Sequence, residues 1–227
     1  MKNPSTTDYD PQLSQLPRLD MVPAMFPFIG SDYVNPSHQK LLIIGESYYF
    51  PNDSTVHLDA EEWYQTTETK LNEKEIGYIH CRDLVGCDWR AAGHKMYREI
   101  NSCLSSLELH YTDRAISHVS YMNCFFRPSS IPGESFRHCC QPSDIEVALD
   151  LIPQIIDILN PDIIVFASKY AWDTVGHRIK LNDSISSHFI SHPTDPFHWN
   201  VASYPHGRKK FIQILQQEFM GQSNINK

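Results

Sequence analysis

Two uninterrupted apolar runs constrain the fold more than any other feature of this chain. "LLIIG" (41–45) and "IIVFA" (163–167) are apolar at consecutive positions and too short for helices, the pattern of strands covered on both faces. "AISHVSYMNCFF" (115–126) is rich in β-formers and predicts a third strand ending near Asn123, and "SISSHFISHP" (184–193) predicts a fourth. Stretches with helical spacing lie between them. From Trp89 to Leu109, Met96, Ile100, Cys103, Leu104 and Leu107 share one face; from Ser143 onward, Ile145, Leu149, Ile152, Ile156 and Leu159 do the same. Ser143 to Glu146 fits a capping box, and Pro153 is placed to bend that helix. "KYAWDTVGHRI" and "GRKKFIQILQQEF" read as two further helices. Strands alternating with helices predict an α/β fold with three layers, α/β/α, around a central four-stranded parallel sheet. Ligands of such sheets sit beyond the carboxyl ends of the strands, where this chain carries Gly45-Glu46-Ser47, Asn123 and His192-Pro193-Thr194.

With 227 residues there is room for one such domain, expected over 39–221. Residues 1–38 hold six prolines without sustained periodicity and read as an extended arm over the domain; 222–227 read as a flexible tail. Residues 54–89 form a long polar and aromatic excursion. The chain lacks an 18-residue apolar run and the apolar core of a signal peptide, so a cytoplasmic protein without membrane contact is expected. The six cysteines include no CxxC pair and read as reduced thiols, with no structural zinc. A formal charge of -8 argues against non-specific coating of nucleic acid, leaving Arg127 and the "GRKK" run at 207–210 as local basic candidates.

Five segments in order, "LLIIGES", "GCDWRAAGHKMYREINSCL", "YMNCFFRPS", "LIPQIIDILNPDIIVFASKYAWDTV" and "ISHPTDPF", resemble the uracil-DNA glycosylase superfamily. Gly45-Glu46 matches the branch whose first motif is Gly-Glu-Ala-Pro-Gly, whereas Ser47, Tyr48 and Tyr49 depart from it. That branch holds an iron-sulfur cluster on four cysteines, two of them ahead of the first motif. Here the first cysteine is Cys81, so no cluster or other cofactor is expected. The resemblance implies a monomeric, monofunctional enzyme that flips a base out of single- or double-stranded DNA and hydrolyses its N-glycosidic bond.

Residue chemistry supplies a candidate for each task. Glu46 would position water or balance charge on an oxocarbenium-like sugar, with a structural carboxylate as the alternative. His192 would donate a hydrogen bond to the base oxygen that gains charge. Asn123 offers a donor and an acceptor to a pyrimidine edge, and Ser47, Tyr48 and Tyr49 would line the base pocket. The superfamily loop after His192 enters the minor groove, which implies Phe197, flanked by His198 and Trp199, as the wedge, with Trp199 as the alternative; Thr194, Arg127 and Arg208 would contact the backbone. A packed aromatic lid is the alternative for that loop. Uracil or another altered pyrimidine is the expected base, and the 54–89 excursion suits a bulkier one such as a hypermodified cytosine of viral DNA. A non-catalytic nucleic-acid or nucleotide-binding module on the same fold, and a hydrolase of free nucleosides, remain open.

Overall fold

The computed structural model describes residues 4–34, 36, 38–91, 94–107, 109, 111, 114–131 and 133–221; the expected tail at 222–227 lies outside them. In chain order the elements are α1 (Asp10–Leu13), α2 (Pro17–Met21), β1 (Phe28–Ile29), β2 (Leu41–Gly45), α3 (Ala60–Gln65), α4 (Glu73–Ile79), α5 (Cys81–Gly86), α6 (Lys95–Ser105), β3 (Ser120–Asn123), α7 (Pro142–Leu159), β4 (Ile163–Phe166), α8 (Lys169–Thr174), β5 (Ser186–Phe189) and α9 (Arg208–Gly221). The sheet order is β1-β3-β2-β4-β5. β2 and β4 lie side by side near its centre, every residue buried, which is why both read as unbroken apolar runs.

The sheet has five strands and is mixed, which corrects the expected four-stranded parallel sheet. β3, β2, β4 and β5 are parallel, and β1 pairs antiparallel with β3, Phe28 opposite Tyr121. The expected extended arm is likewise corrected: its described residues contribute to the core. Leu13, Leu19, Val22, Met25, Phe28, Ile29 and Tyr33 are buried, and Pro11, Pro17 and Pro23 stand where helical turns start rather than where they break. Arg82 donates to both oxygens of Asp10 and to the carbonyl of Pro27, tying this segment to α5.

Local boundaries shift for identifiable reasons. The first part of "AISHVSYMNCFF" is a 3-10 turn, Ala115–His118, before β3 begins. α6 starts at Lys95, not Trp89, since Trp89 sits at φ 53° in the left-handed region. α7 starts at Pro142, and Asp144 rather than Glu146 reaches back, its Oδ2 accepting the Gln141 N–H at 2.8 Å. The excursion folds as α3, α4 and α5. It docks through Trp63, fully buried, whose indole donates to the Phe126 carbonyl at 2.8 Å.

Arg127 is corrected as a DNA contact. Its guanidinium has no exposed surface and grips Asp144 with Nε at 2.8 Å and Nη2 at 2.6 Å, while donating to the carbonyls of His57 and Cys139. It joins the exit of β3, the excursion and the start of α7.

Asp144→Ala would strand that guanidinium, so it should destabilise the protein by about 3–5 kcal/mol in denaturant titrations. Acid should also destabilise the fold. Burial lowers His38, stacked on Phe219 of α9 at 4.0 Å, to a pKa of about 4. An unfolded histidine near 6.5 takes its proton first, so stability should fall as pH drops from about 6.5 toward about 4. His38→Phe should flatten that slope in urea midpoints measured against pH.

Candidate functional site

At the carboxyl edge of the sheet, neighbouring strands connect outward in opposite directions: β2 leads to β3, and β4 leads to β5. A crevice opens where such connections diverge. A cavity of about 480 Å³ lies there, lined by Ser47, Tyr48, Tyr49, Asn123, His192 and Thr194 among the predicted residues. Tyr78, Leu84, His94, Lys95, Met96, Tyr97, Tyr121 and Gly133 complete its wall. The sequence reading missed these last eight, although Tyr121 had a usable signal: it stands two residues before Asn123 and so shares its face of β3.

The strand ends set the polar groups. Gly45 pairs with Asn123 across β2 and β3, and a Cβ on Gly45 would fall 2.1 Å from the Tyr121 hydroxyl and 2.4 Å from Asn123 Oδ1. Glycine is therefore what lets Tyr121 and Asn123 lie over β2. The Tyr121 hydroxyl donates to Asn123 Oδ1 at 2.7 Å. The Ser47 hydroxyl is buried without a hydrogen-bond partner among the described residues. Burial raises Tyr48, Tyr97 and Tyr121 well above the ordinary phenol range, and burial followed by the Glu46 charge pushes Tyr49 up to about 12, so these rings remain neutral.

His192 follows β5. The Thr194 backbone N–H donates to His192 Nδ1 at 3.2 Å, and the Thr194 hydroxyl stands 2.7 Å from the same nitrogen. Nδ1 is thus an acceptor, which assigns the proton of the neutral ring to Nε2. Burial lowers the pKa of His192, opposed by the charges of Glu46 and Asp195. Thr194 orients the imidazole and lines the cavity.

Glu46 does not line the cavity. Its Oε1 accepts from the Ser135 hydroxyl at 2.8 Å and from the Phe136 N–H, and its Oε2 accepts from the Ser168 hydroxyl. These bonds make it the structural carboxylate of the alternative reading, with a charge still felt at His192. Amide and imidazole meet in one cavity; the carboxylate turns aside.

The loop after His192 carries an exposed apolar tip. Phe197 is 77% exposed, and Asp195 holds the turn beneath it, Oδ1 accepting the backbone N–H groups of Phe197 and His198 while Oδ2 meets His198 Nδ1 at 2.8 Å. The Asp195 carboxylate is thereby occupied inside its own loop. Trp199 is corrected as a DNA contact: it is fully buried and donates to Glu99 of α6 at 2.9 Å. Arg208 is half-buried, donating to Ser102 at 2.9 Å with Glu99 at 3.7 Å. Among the described residues no group of three or more His, Cys, Asp or Glu is arranged to hold a metal, the six cysteines are unpaired with one another, and no helix is long and apolar enough to cross a membrane.

No family model matches the chain, and no curated protein matches it.

Gly45→Ala should cost about 1–3 kcal/mol through the forced displacement of Tyr121 and Asn123. Adding Tyr121→Phe, which removes the hydroxyl that the new methyl meets first, should recover part of that loss in thermal melts.

Proposed function

We propose that the chain is a DNA glycosylase, hydrolysing the N-glycosidic bond of a pyrimidine flipped into this cavity, on a three-layer uracil-DNA glycosylase-like fold. The observation that carries the proposal is that Asn123, His192 and a set of tyrosines share one cavity, in a protein whose next loop holds up an exposed phenylalanine. Flipping needs a side chain to fill the gap in the base stack, and Phe197 has the size and exposure for it. The tyrosines give the extruded ring stacking surface, and Asn123 meets its polar edge. His192 donates through Nε2 to the ring oxygen that gains negative charge as the bond to the sugar breaks. Burial keeps the imidazole neutral, so it stabilises that charge as a fixed dipole without surrendering a proton.

Glu46 enters through its charge. Both its oxygens are engaged, so it holds the loops in place and offsets positive charge on the sugar left behind, while the water that adds to that sugar gives its proton to the departing anionic base. The cavity holds about 16 waters at ~30 Å³ each, whereas the ring of uracil with its two oxygens has about half that number of heavy atoms. The remaining space, walled by Tyr78 of α4 and Leu84 of α5, supports a pyrimidine with a substituent at carbon 5, such as the bulky cytosine of viral DNA named above.

The occupied carboxylate favours one competing reading, a module that binds a base and releases it intact. Incubation with single- and double-stranded DNA carrying uracil or 5-substituted pyrimidines, followed by alkaline cleavage, separates the two. Abasic sites are expected, with His192→Ala lowering the rate by about 100-fold and Phe197→Ala slowing duplex more than single strands. Binding without abasic product selects the module, and release from nucleosides alone selects a nucleoside hydrolase.

A further inference from the structure

We propose that the cavity carries a second reaction after base release: Lys95 forms an imine with the sugar carbon that the base has left, and His94 takes the neighbouring proton, so that the strand is cut on the 3′ side. The inference rests on the glycosylase reading, because base release is what would deliver an abasic sugar to this amine.

An abasic sugar is a masked aldehyde. Its C1′ opens to a carbonyl, and a lysine amine that adds there loses water to give a C=N bond. The imine draws electrons from C2′, so a base can remove a C2′ proton. That electron pair forms the C2′=C3′ bond while the C3′–O bond breaks, and the strand beyond departs with a 5′-phosphate end. Water then hydrolyses the imine, restoring the amine and leaving an unsaturated aldehyde on the other fragment. One water leaves and one returns, and no oxidant or reductant is required. The chemistry asks for an amine outside any ion pair and a neutral base close to it.

Lys95 meets the first requirement. It is the only lysine among the residues that line the cavity. It opens α6, and among the described residues no hydrogen bond or ion pair engages its amine. A cation gains nothing from the positive end of a helix, so stabilisation does not account for a lysine at this place. Arg98, one turn on, is spent differently: its guanidinium donates to the carbonyls of Trp89 and Ala91. Depth also suits the task. Asn123 is 4% exposed at the sheet, whereas Lys95 is half-buried. A base lodged beside Asn123 leaves its sugar in the outer part of the cavity, where the amine stands on a flexible stem.

His94 meets the second requirement. It precedes Lys95 in the chain and lines the same cavity, with its Nδ1 standing 3.4 Å from the Cys87 sulfur. Burial, and after it the charge of Arg98, lowers the pKa of this imidazole. A neutral imidazole keeps one nitrogen lone pair able to accept a proton. The cavity thus holds two histidines for two steps: His192 serves the departing base, and His94 the sugar that remains.

The probe is a single-stranded oligonucleotide carrying one preformed abasic site, so the test does not depend on base release by this chain. With cyanoborohydride present, the full chain should become covalently joined to the DNA, and peptide mapping should place the bond on Lys95. Without the reductant, the strand should be cut at neutral pH faster than in DNA alone, leaving a 5′-phosphate end. Lys95→Arg keeps the charge but not the nucleophile, and should lose both the adduct and the cutting. His94→Gln should slow cutting by about 100-fold and adduct formation far less. Equal slowing of the two overturns the role given to His94. A wild-type chain that neither cuts this DNA nor is trapped on it, or that is trapped through another amine, overturns the inference. Base release from intact DNA is measured separately, so that result leaves the glycosylase reading standing. If Lys95→Arg does not fold, the mapped wild-type adduct decides alone. An adduct on Lys95 without release of any base supports the inference and counts against the glycosylase reading.

Discussion

The Glu46 carboxylate ties together three segments at the carboxyl edge of the sheet: the exit of β2 on which it stands, the turn at Ser135 and Phe136, and the exit of β4 at Ser168. Hydrogen bonds to an ionised acceptor are among the stronger ones available to a protein, and here three donors converge on one group. Ser168 serves twice, since its Oγ also accepts the Ala171 N–H at 3.2 Å to cap α8. Ser47, Tyr48 and Tyr49 follow Glu46 directly, so the clasp fixes the direction in which the cavity wall departs from the sheet. A residue whose position suggests chemistry thus performs architecture, and the cavity depends on it.

Arg127 and Asp144 make the corresponding tie one strand away. Their contact seats the start of α7 against the exit of β3, and the Tyr64 hydroxyl adds a bond to Asp144 at 2.8 Å that brings α3 into the same cluster. Two ionised clusters therefore flank Asn123, one on either side in sequence, and the amide between them inherits their rigidity.

Much of the sheet was legible because it obeys simple periodicity. Consecutive apolar residues marked β2 and β4, and the polar residues that end β2, β3 and β5 pointed to Ser47, Tyr48, Tyr49, Asn123 and His192, which do share a cavity. What escaped was whatever depends on a distant partner. β1 is two residues long and is defined by Tyr121 and Ser120, far along the chain. Whether Phe197 or Trp199 lies at the surface is settled by Glu99, which captures the indole of Trp199. Arg127 has the composition of a phosphate ligand, and only the fold reveals that Asp144 has already claimed it. Glu46 shows the same limit: its place in the motif was readable, but the direction of its side chain was not.

The placement of β1 has a consequence for how this molecule assembles. Phe28 and Ile29 close the outer edge of β3, so the earliest part of the chain waits for a strand roughly ninety positions later before its hydrogen bonds exist. Unpaired, β3 would have an open flank able to recruit an extended peptide. The segment around Phe28 and Ile29 works as a built-in seal: the pairing that completes the sheet also closes that flank to its neighbours.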